Sequence, residues 1–197
     1  MSIKHALAII ILVLSFAAPV AAGPFEDAVA ADTRGDFATA LRLLRPLAEQ
    51  GEPHAQRYLG DMIGHGDGVP KDDAEAVKWY RKAANQGDAA AQRYLGARYS
   101  SGHGVPKDQI QSLKWLRLAA AQGEPAAQVL LGMSYLKGDG VLKDFVLSYM
   151  WFNLAAAQNE EHAAGARDET ANHMTSTQIA EAQKLAREWR PTTLPSR

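Results

Sequence analysis

A unit of 36 residues occurs three times in succession with no insertion or deletion, from Gly51 to Gln86, Gly87 to Gln122 and Gly123 to Gln158. A fixed period of this length restricts the chain to one kind of architecture. A unit so short cannot bury both of its apolar faces alone, so the copies must stack into a solenoid. Trp79, Trp115 and Trp151 hold the register, together with Gly60, Gly96 and Gly132 and with Ala83, Ala119 and Ala155. The pairs Gly66 and Gly68, Gly102 and Gly104, and Gly138 and Gly140 recur in step with them.

Within one unit, Ala55, Tyr58 or Leu59, Met62 and Ile63 recur at spacings of three and four, which predicts a helix from Pro53 to His65. Glu52 caps it and Pro53 occupies the first helical position, where its missing N–H costs nothing. Glu124 and Pro125 repeat the device, and Asp88 caps alone in the middle unit. The stretch Gly64 to Pro70 cannot continue a helix and is read as a turn. A second helix starts at Asp72, with Glu75 placed for a capping box; Asp108 with Gln111 repeats the pair, while Asp144 keeps only the cap. Ala76, Trp79 or Tyr80, Ala83 and Ala84 make its inward stripe, with the alanines expected to lie close to Gly60. The product is an antiparallel helix hairpin, and the tryptophan is expected to wedge between neighbouring hairpins. Trp115, in the central unit, is expected to be the least replaceable side chain.

The pattern Ala-Gln-x-x-Leu-Gly, then Gly-x-Gly-Val-x-Lys-Asp, then Trp-x-x-x-Ala-Ala-x-Gln-Gly resembles the Sel1-like repeat, a relative of the tetratricopeptide repeat, across residues 51–158. The resemblance implies an all-α, right-handed α-solenoid of stacked helix hairpins. It also implies an adaptor that holds other proteins or short peptides, without catalysis or cofactor.

Met1 to Ala22 reads as a secretory signal, with Lys4 and His5 ahead of an apolar run from Ala6 to Phe16 and small residues before Gly23. A cleaved leader implies a periplasmic or secreted protein with no stable membrane insertion, and the run is short for a span. The chain has no cysteine, which excludes a disulfide framework, a lipoprotein anchor and a thiolate metal site. Its near-neutral charge recommends neither nucleic acid nor an anionic membrane. Residues 23–50 read as a shortened first unit whose second helix starts at Gly35 and Asp36 and is kinked at Pro46. Residues 159–190 read as capping helices: one from Asn159 to Met174 interrupted by Gly165, then one capped by Thr175 with Gln178 and striped by Ile179, Ala182 or Gln183, Ala186 and Trp189. Residues 191–197, with Pro191 and Pro195, read as a frayed, disordered tail.

Several patterns hint at chemistry without its full complement. Ser134 and Lys137 match the Ser-x-x-Lys of penicillin-interacting enzymes, but neither Ser-Asp-Asn nor Lys-Thr-Gly accompanies them. His65 and His103 fall at inequivalent places in the turns, so no repeated metal-ligand set exists. The glycine turns join two helices and lack the strand that phosphate loops require. What remains is the first-helix face, expected to be concave, with Arg57, Tyr58, Asp61, Arg93, Tyr94, Ala97, Leu130 and Met133 as candidate contacts for a protein or peptide partner. Arginine and tyrosine are the types that anchor interfaces. Tyr58, Tyr94 and Leu130 share one position in the unit and can equally serve packing between helices. A β-lactam or cell-wall-peptide enzyme and a purely structural homo-oligomer stay open as alternatives.

Overall fold

The computed structural model describes residues 23–192, which form ten α-helices and no strand. In order these are α1 (Pro24–Thr33), α2 (Phe37–Glu49), α3 (Pro53–His65), α4 (Asp73–Asn85), α5 (Ala89–Ser101), α6 (Gln109–Ala121), α7 (Pro125–Lys137), α8 (Phe145–Ala156), α9 (Ala163–Ala171) and α10 (Ser176–Glu188). The leader read at Met1–Ala22 and residues 193–197 lie outside the described residues.

Carboxylates set the helix starts. Glu52 accepts the N–H groups of His54 and Ala55, Asp88 that of Ala91, and Glu124 that of Ala127. Asp72, Asp108 and Asp144 do the same for α4, α6 and α8. The expected capping boxes at Asp72 and Asp108 form only by half. The N–H of Asp72 already donates to the Ile63 carbonyl and that of Asp108 to Tyr99, so neither needs a returning side chain. Glu75 turns instead to Lys78, 3.0 Å away. At Thr175 no such carbonyl competes for the N–H, and the reciprocal box with Gln178 closes.

Hairpins α3–α4, α5–α6 and α7–α8 pack closely because a glycine on the first helix faces a large side chain on the second. A Cβ on Gly60 would fall 2.9 Å from the Tyr80 ring, and one on Gly96 2.8 Å from Leu116. The residue after each tryptophan, rather than the alanine stripe, fills this contact. Trp115 does act as a wedge: it joins the apolar cluster of the preceding units, whereas Leu113 and Leu116 on the same helix belong to the next. The second turn glycine binds one hairpin to the one before it, since a Cβ on Gly68 would lie 2.7 Å from Phe37 and one on Gly140 2.8 Å from Gln109.

At the N-terminal end, Asp36 caps α2 through the Thr39 N–H, as expected, and α2 runs past Pro46 to Glu49. At the other end the helix break falls before its expected place. Gly165 lies inside α9, and the chain turns between α8 and α9 through Asn159 and His162, at φ 60° and 65°. Asn159 stands where Gly51, Gly87 and Gly123 stand in the earlier units, at φ 99°, 95° and 92°. Only glycine adopts this region without steric cost. Asn159→Gly is therefore expected to raise stability by about 0.5 kcal/mol and Asn159→Val to lower it by more than about 1 kcal/mol, read from urea unfolding.

Helix α10 then covers α8. The rings of Trp189 and Trp151 meet edge to face with centroids 6.2 Å apart, and Gln183 reaches the Tyr149 hydroxyl at 3.4 Å. Pro191 and Thr192, read with the frayed tail, lie against the stack instead: the Thr192 N–H donates to the Ala121 carbonyl at 2.7 Å.

Candidate functional site

The first helices α3, α5 and α7 place their candidate residues at equivalent turns, and two side-chain pairs recur between them. Arg57 lies over the Tyr58 ring at 4.7 Å and Arg93 over Tyr94 at 4.0 Å, a geometry in which ring quadrupole and guanidinium attract. Each arginine also reaches the cap of the next first helix. Arg57 Nε stands 3.5 Å from Asp88 Oδ2, and Arg93 Nε donates to Glu124 Oε1 at 2.9 Å. These arginines are therefore half-buried struts between hairpins, and less of each is free for a partner than the sequence suggested. Arg57 Nε is buried yet has no hydrogen-bond partner, because its approach to Asp88 lacks hydrogen-bond geometry.

Asp61 links the cluster to the second helix. Its Oδ1 accepts the Tyr80 hydroxyl at 2.7 Å, and Oδ2 lies 3.5 Å from Arg57. Burial raises the Asp61 carboxyl above its ordinary 3.8, opposed by the Tyr80 hydrogen bond and by Arg57. Burial, then the Asp61 charge, raises the Tyr80 hydroxyl as well. An acid with a raised folded pKa binds protons better folded than unfolded. Its contribution to stability is thus full below pH 3.8 and is lost as pH rises through the folded value. Asp61→Asn keeps an acceptor for Tyr80, and the stability difference between variant and parent is expected to move in the variant's favour over that window, measured by chemical unfolding at a series of pH values.

Tyr58 meets Phe25 of α1 edge to face at 5.3 Å, and Tyr94 stacks on Tyr80 at 5.2 Å. Both tyrosines and Leu130 are half-buried against the core clusters, which is the packing role. Ala97 is half-buried, and Met133 is exposed on α7. The eight candidates thus lie on the first helices in two kinds: an Arg, Tyr and Asp cluster already engaged across α3, α4 and α5, and an apolar end of half-buried Ala97 and Leu130 and exposed Met133.

Other sequence hints resolve individually. The Ser134 hydroxyl donates to the Leu130 carbonyl one turn back, at 3.0 Å, and Lys137 is exposed. His65 ends α3 and His103 sits in a turn, both exposed, and among the described residues no group of His, Cys, Asp or Glu is arranged to hold a metal ion. Among them, too, no helix is long and apolar enough to cross a membrane.

One recurrent device carries residues that sequence reasoning passed over. Gln56, Gln92 and Gln128 are buried, and each donates to a carbonyl of the preceding second helix, Ala48, Ala84 and Ala120. Gln86, Gln122 and Gln158 then donate to those glutamines at 2.8, 2.8 and 3.1 Å. A polar ladder so runs through every junction. Its signal was present in the sequence as two glutamines in register in all three units. Gln92→Leu leaves the Gln122 amide without its acceptor and the Ala84 carbonyl with the Gly87 N–H alone, and is expected to cost about 1–2 kcal/mol in urea unfolding.

Capped helix hairpins stacked through repeated ladders define an α-solenoid scaffold. The Sel1 repeat pattern matches residues 53–88, 89–124 and 125–160, more than half of the chain. The chain belongs to the Sel1 repeat family, whose repeats are generally protein-interaction modules. No curated protein matches it. Among solved structures it is similar to c5321, a protective antigen of uropathogenic Escherichia coli strains with an SLR fold. That similarity has 29% identity and a TM-score of 0.61 over 84% of this chain and 44% of the antigen. It is also similar to a Sel1 repeat protein from Oxalobacter formigenes, with 42% identity and a TM-score of 0.60 over 66% of this chain and 97% of the other. The chain spans less than half the length of the antigen.

Proposed function

We propose that the chain is a non-catalytic binding solenoid that holds a protein or peptide partner on its first-helix face, acting as an adaptor or regulator in the bacterial cell envelope. The supporting observation is the make-up of that face. Arg57 and Arg93 are held rigidly over Tyr58 and Tyr94, so little side-chain entropy is left to lose on binding, and the exposed Met133 continues the surface in apolar form. A partner would meet a rigid, ion-paired aromatic surface at one end and apolar area at the other. The leader read at Met1–Ala22 supports the envelope as the site of action.

The test is crosslinked capture from envelope extract by residues 23–197, run beside an Ala97→Glu, Met133→Glu variant. These positions avoid the ion pairs that Arg57 and Arg93 make with neighbouring caps. Loss of a saturable partner in a variant with unchanged thermal unfolding supports the reading. A partner held equally by both proteins moves the site elsewhere. Covalent labelling by a penicillin probe that depends on Ser134 would replace the reading with an enzyme.

A further inference from the structure

The whole chain carries a formal charge of −1, yet its charges are sorted by place. Each of α2 to α8 starts at a carboxylate that is taken up as its cap, so much of the acid lies at helix ends. The exposed side of the second helices α2, α4 and α6 is left with cations. Arg42, Lys78 and Lys114 follow one another at the 36-residue period, and so do Arg45, Arg81 and Arg117; all six are exposed. On each helix three residues separate the two rows, which therefore share one face about 4.5 Å apart along the axis. Of the carboxylates on these helices, Asp73 pairs with Arg98 and Lys71, and Glu75 with Lys78. The other five cations of the two rows make no ion pair among the described residues. Two of the arginines are already fixed in place. Arg81 donates to the Tyr99 hydroxyl at 2.8 Å and Arg117 to that of Tyr135 at 3.3 Å, each on the next first helix. Like charges on one helix face weaken the helix slightly, so the stack gains nothing from these rows by itself. They end at α8, against which α9 and α10 pack. There the equivalent positions are Met150, which is buried, and Asn153, which accepts from Arg167.

We infer that this side of α2, α4 and α6 is a docking surface for an acidic, extended segment of a partner protein, laid across the three helices so that its carboxylates meet the two rows in turn. Charge complementarity selects an acidic occupant, and the narrowness of the band selects a single chain. An extended segment presents side chains on one side about every 7 Å, and can follow the rows from one helix to the next. The guanidinium fork matches a carboxylate through two N–H groups, and the hold of Tyr99 and Tyr135 on two of the arginines lowers the ordering cost of that contact. A lipid surface would need apolar side chains among the cations, and α2 and α4 expose no large one. Single-stranded nucleic acid would need exposed rings for its bases to stack on, whereas Trp79 and Trp115 are buried beneath Lys82 and Lys114. None of the six cations belongs to the first-helix face, so this surface is separate from the one proposed above.

The test is fluorescence anisotropy with residues 23–197 in about 0.15 M salt, where exposed charges more than about 8 Å apart are largely screened. The probe is a dye-labelled peptide of alternating glutamate and serine, with its glutamine counterpart as control. Binding is expected to saturate, and to weaken at least about tenfold both for the glutamine peptide and in the variant Arg42→Gln, Lys78→Gln, Lys114→Gln. That variant leaves the arginine–tyrosine bonds in place and is expected to unfold at the parent's temperature. The variant Lys71→Gln, Lys107→Gln, Lys143→Gln removes as much charge with the same period, but from the turns, and is expected to bind as the parent does. Equal loss in both variants would mean that net charge and not the two rows holds the peptide, and overturns the proposal. So does undiminished binding in the first variant, or a parent that does not saturate. Tighter binding of oligothymidylate or of phosphatidylglycerol vesicles than of the acidic peptide, lost in the first variant, would assign the surface to nucleic acid or lipid and overturn it as well. Self-association that the first variant abolishes would make the occupant a second copy, with the same consequence. Ala97→Glu with Met133→Glu leaves both rows intact, so the two surfaces fail independently.

Discussion

Gly104→Ala is expected to loosen the middle hairpin from the one before it and to cost about 3 kcal/mol or more of unfolding free energy. Two costs add at this residue. Its φ of +75° lies in the left-handed region, and a Cβ there would fall 2.1 Å from the carbonyl oxygen of Asp73. That oxygen belongs to the first turn of α4, which is fixed by the Asp72 cap and by the ion pair of Asp73 with Arg98 at 2.5 Å. Backbone held in this way cannot move aside as a flexible side chain would. Gly102→Ala is the control. Its φ is +82°, but its nearest new contact is 3.4 Å, so only the conformational cost of about 1 kcal/mol applies. Urea unfolding should separate the two variants clearly. Equal losses would mean that the turn, and not the junction between hairpins, sets the cost.

The second large effect concerns the contact inside the last hairpin. Phe152 is fully buried, and the three atoms nearest to a Cβ built on Gly132 all belong to its ring, at 2.8 to 3.1 Å. Phe152→Ala is expected to cost about 3–5 kcal/mol through lost burial and the cavity left behind. Gly132→Ala in the parent is also expected to destabilise, because the methyl group overlaps the ring. In the Phe152→Ala background the sign should reverse: the methyl enters vacated space, and alanine in a helix interior gains about 0.5–1 kcal/mol over glycine. A double-mutant cycle by thermal or urea unfolding gives the coupling directly. Additive effects would show that the glycine is there for some reason other than Phe152.

Most of the fold was legible because each unit carries its own punctuation. Glu52 with Pro53, the glycine turn and Asp72 bracket two helices so tightly that α3 starts and ends at the residues read for it. Where reading went astray, the missing fact lay between units. Gly165 looked like a helix breaker on composition, but the turn was set by Asn159, which inherits the left-handed position of Gly51, Gly87 and Gly123. Arg57 and Arg93 looked like free surface charges because their partners, Asp88 and Glu124, sit one unit on. A search for an arginine followed at 31 residues by a cap carboxylate finds both pairs, and finds that Val129 ends the series. The glutamine ladder was hidden in the same way. Each member is unremarkable within its own helix, and only the stack brings Gln56 to the Ala48 carbonyl and Gln92 to that of Ala84. Trp189 was legible in the stripe of the last helix, but the contact of Pro191 and Thr192 with the stack had no signal in a tail read as frayed.

These corrections sharpen the account of the first-helix face. Its arginines and tyrosines rigidify one another and the junctions, which leaves Ala97 and Met133 as positions where contact can be removed without disturbing the stack. The measurement that decides the matter is a calorimetric titration of the captured, purified partner into the parent protein and into the Ala97→Glu, Met133→Glu variant. The account predicts single-site saturation of the parent and affinity at least about tenfold weaker in the variant, with both proteins unfolding at the same temperature. Equal affinity for the two would contradict it and place the partner on another surface of the solenoid.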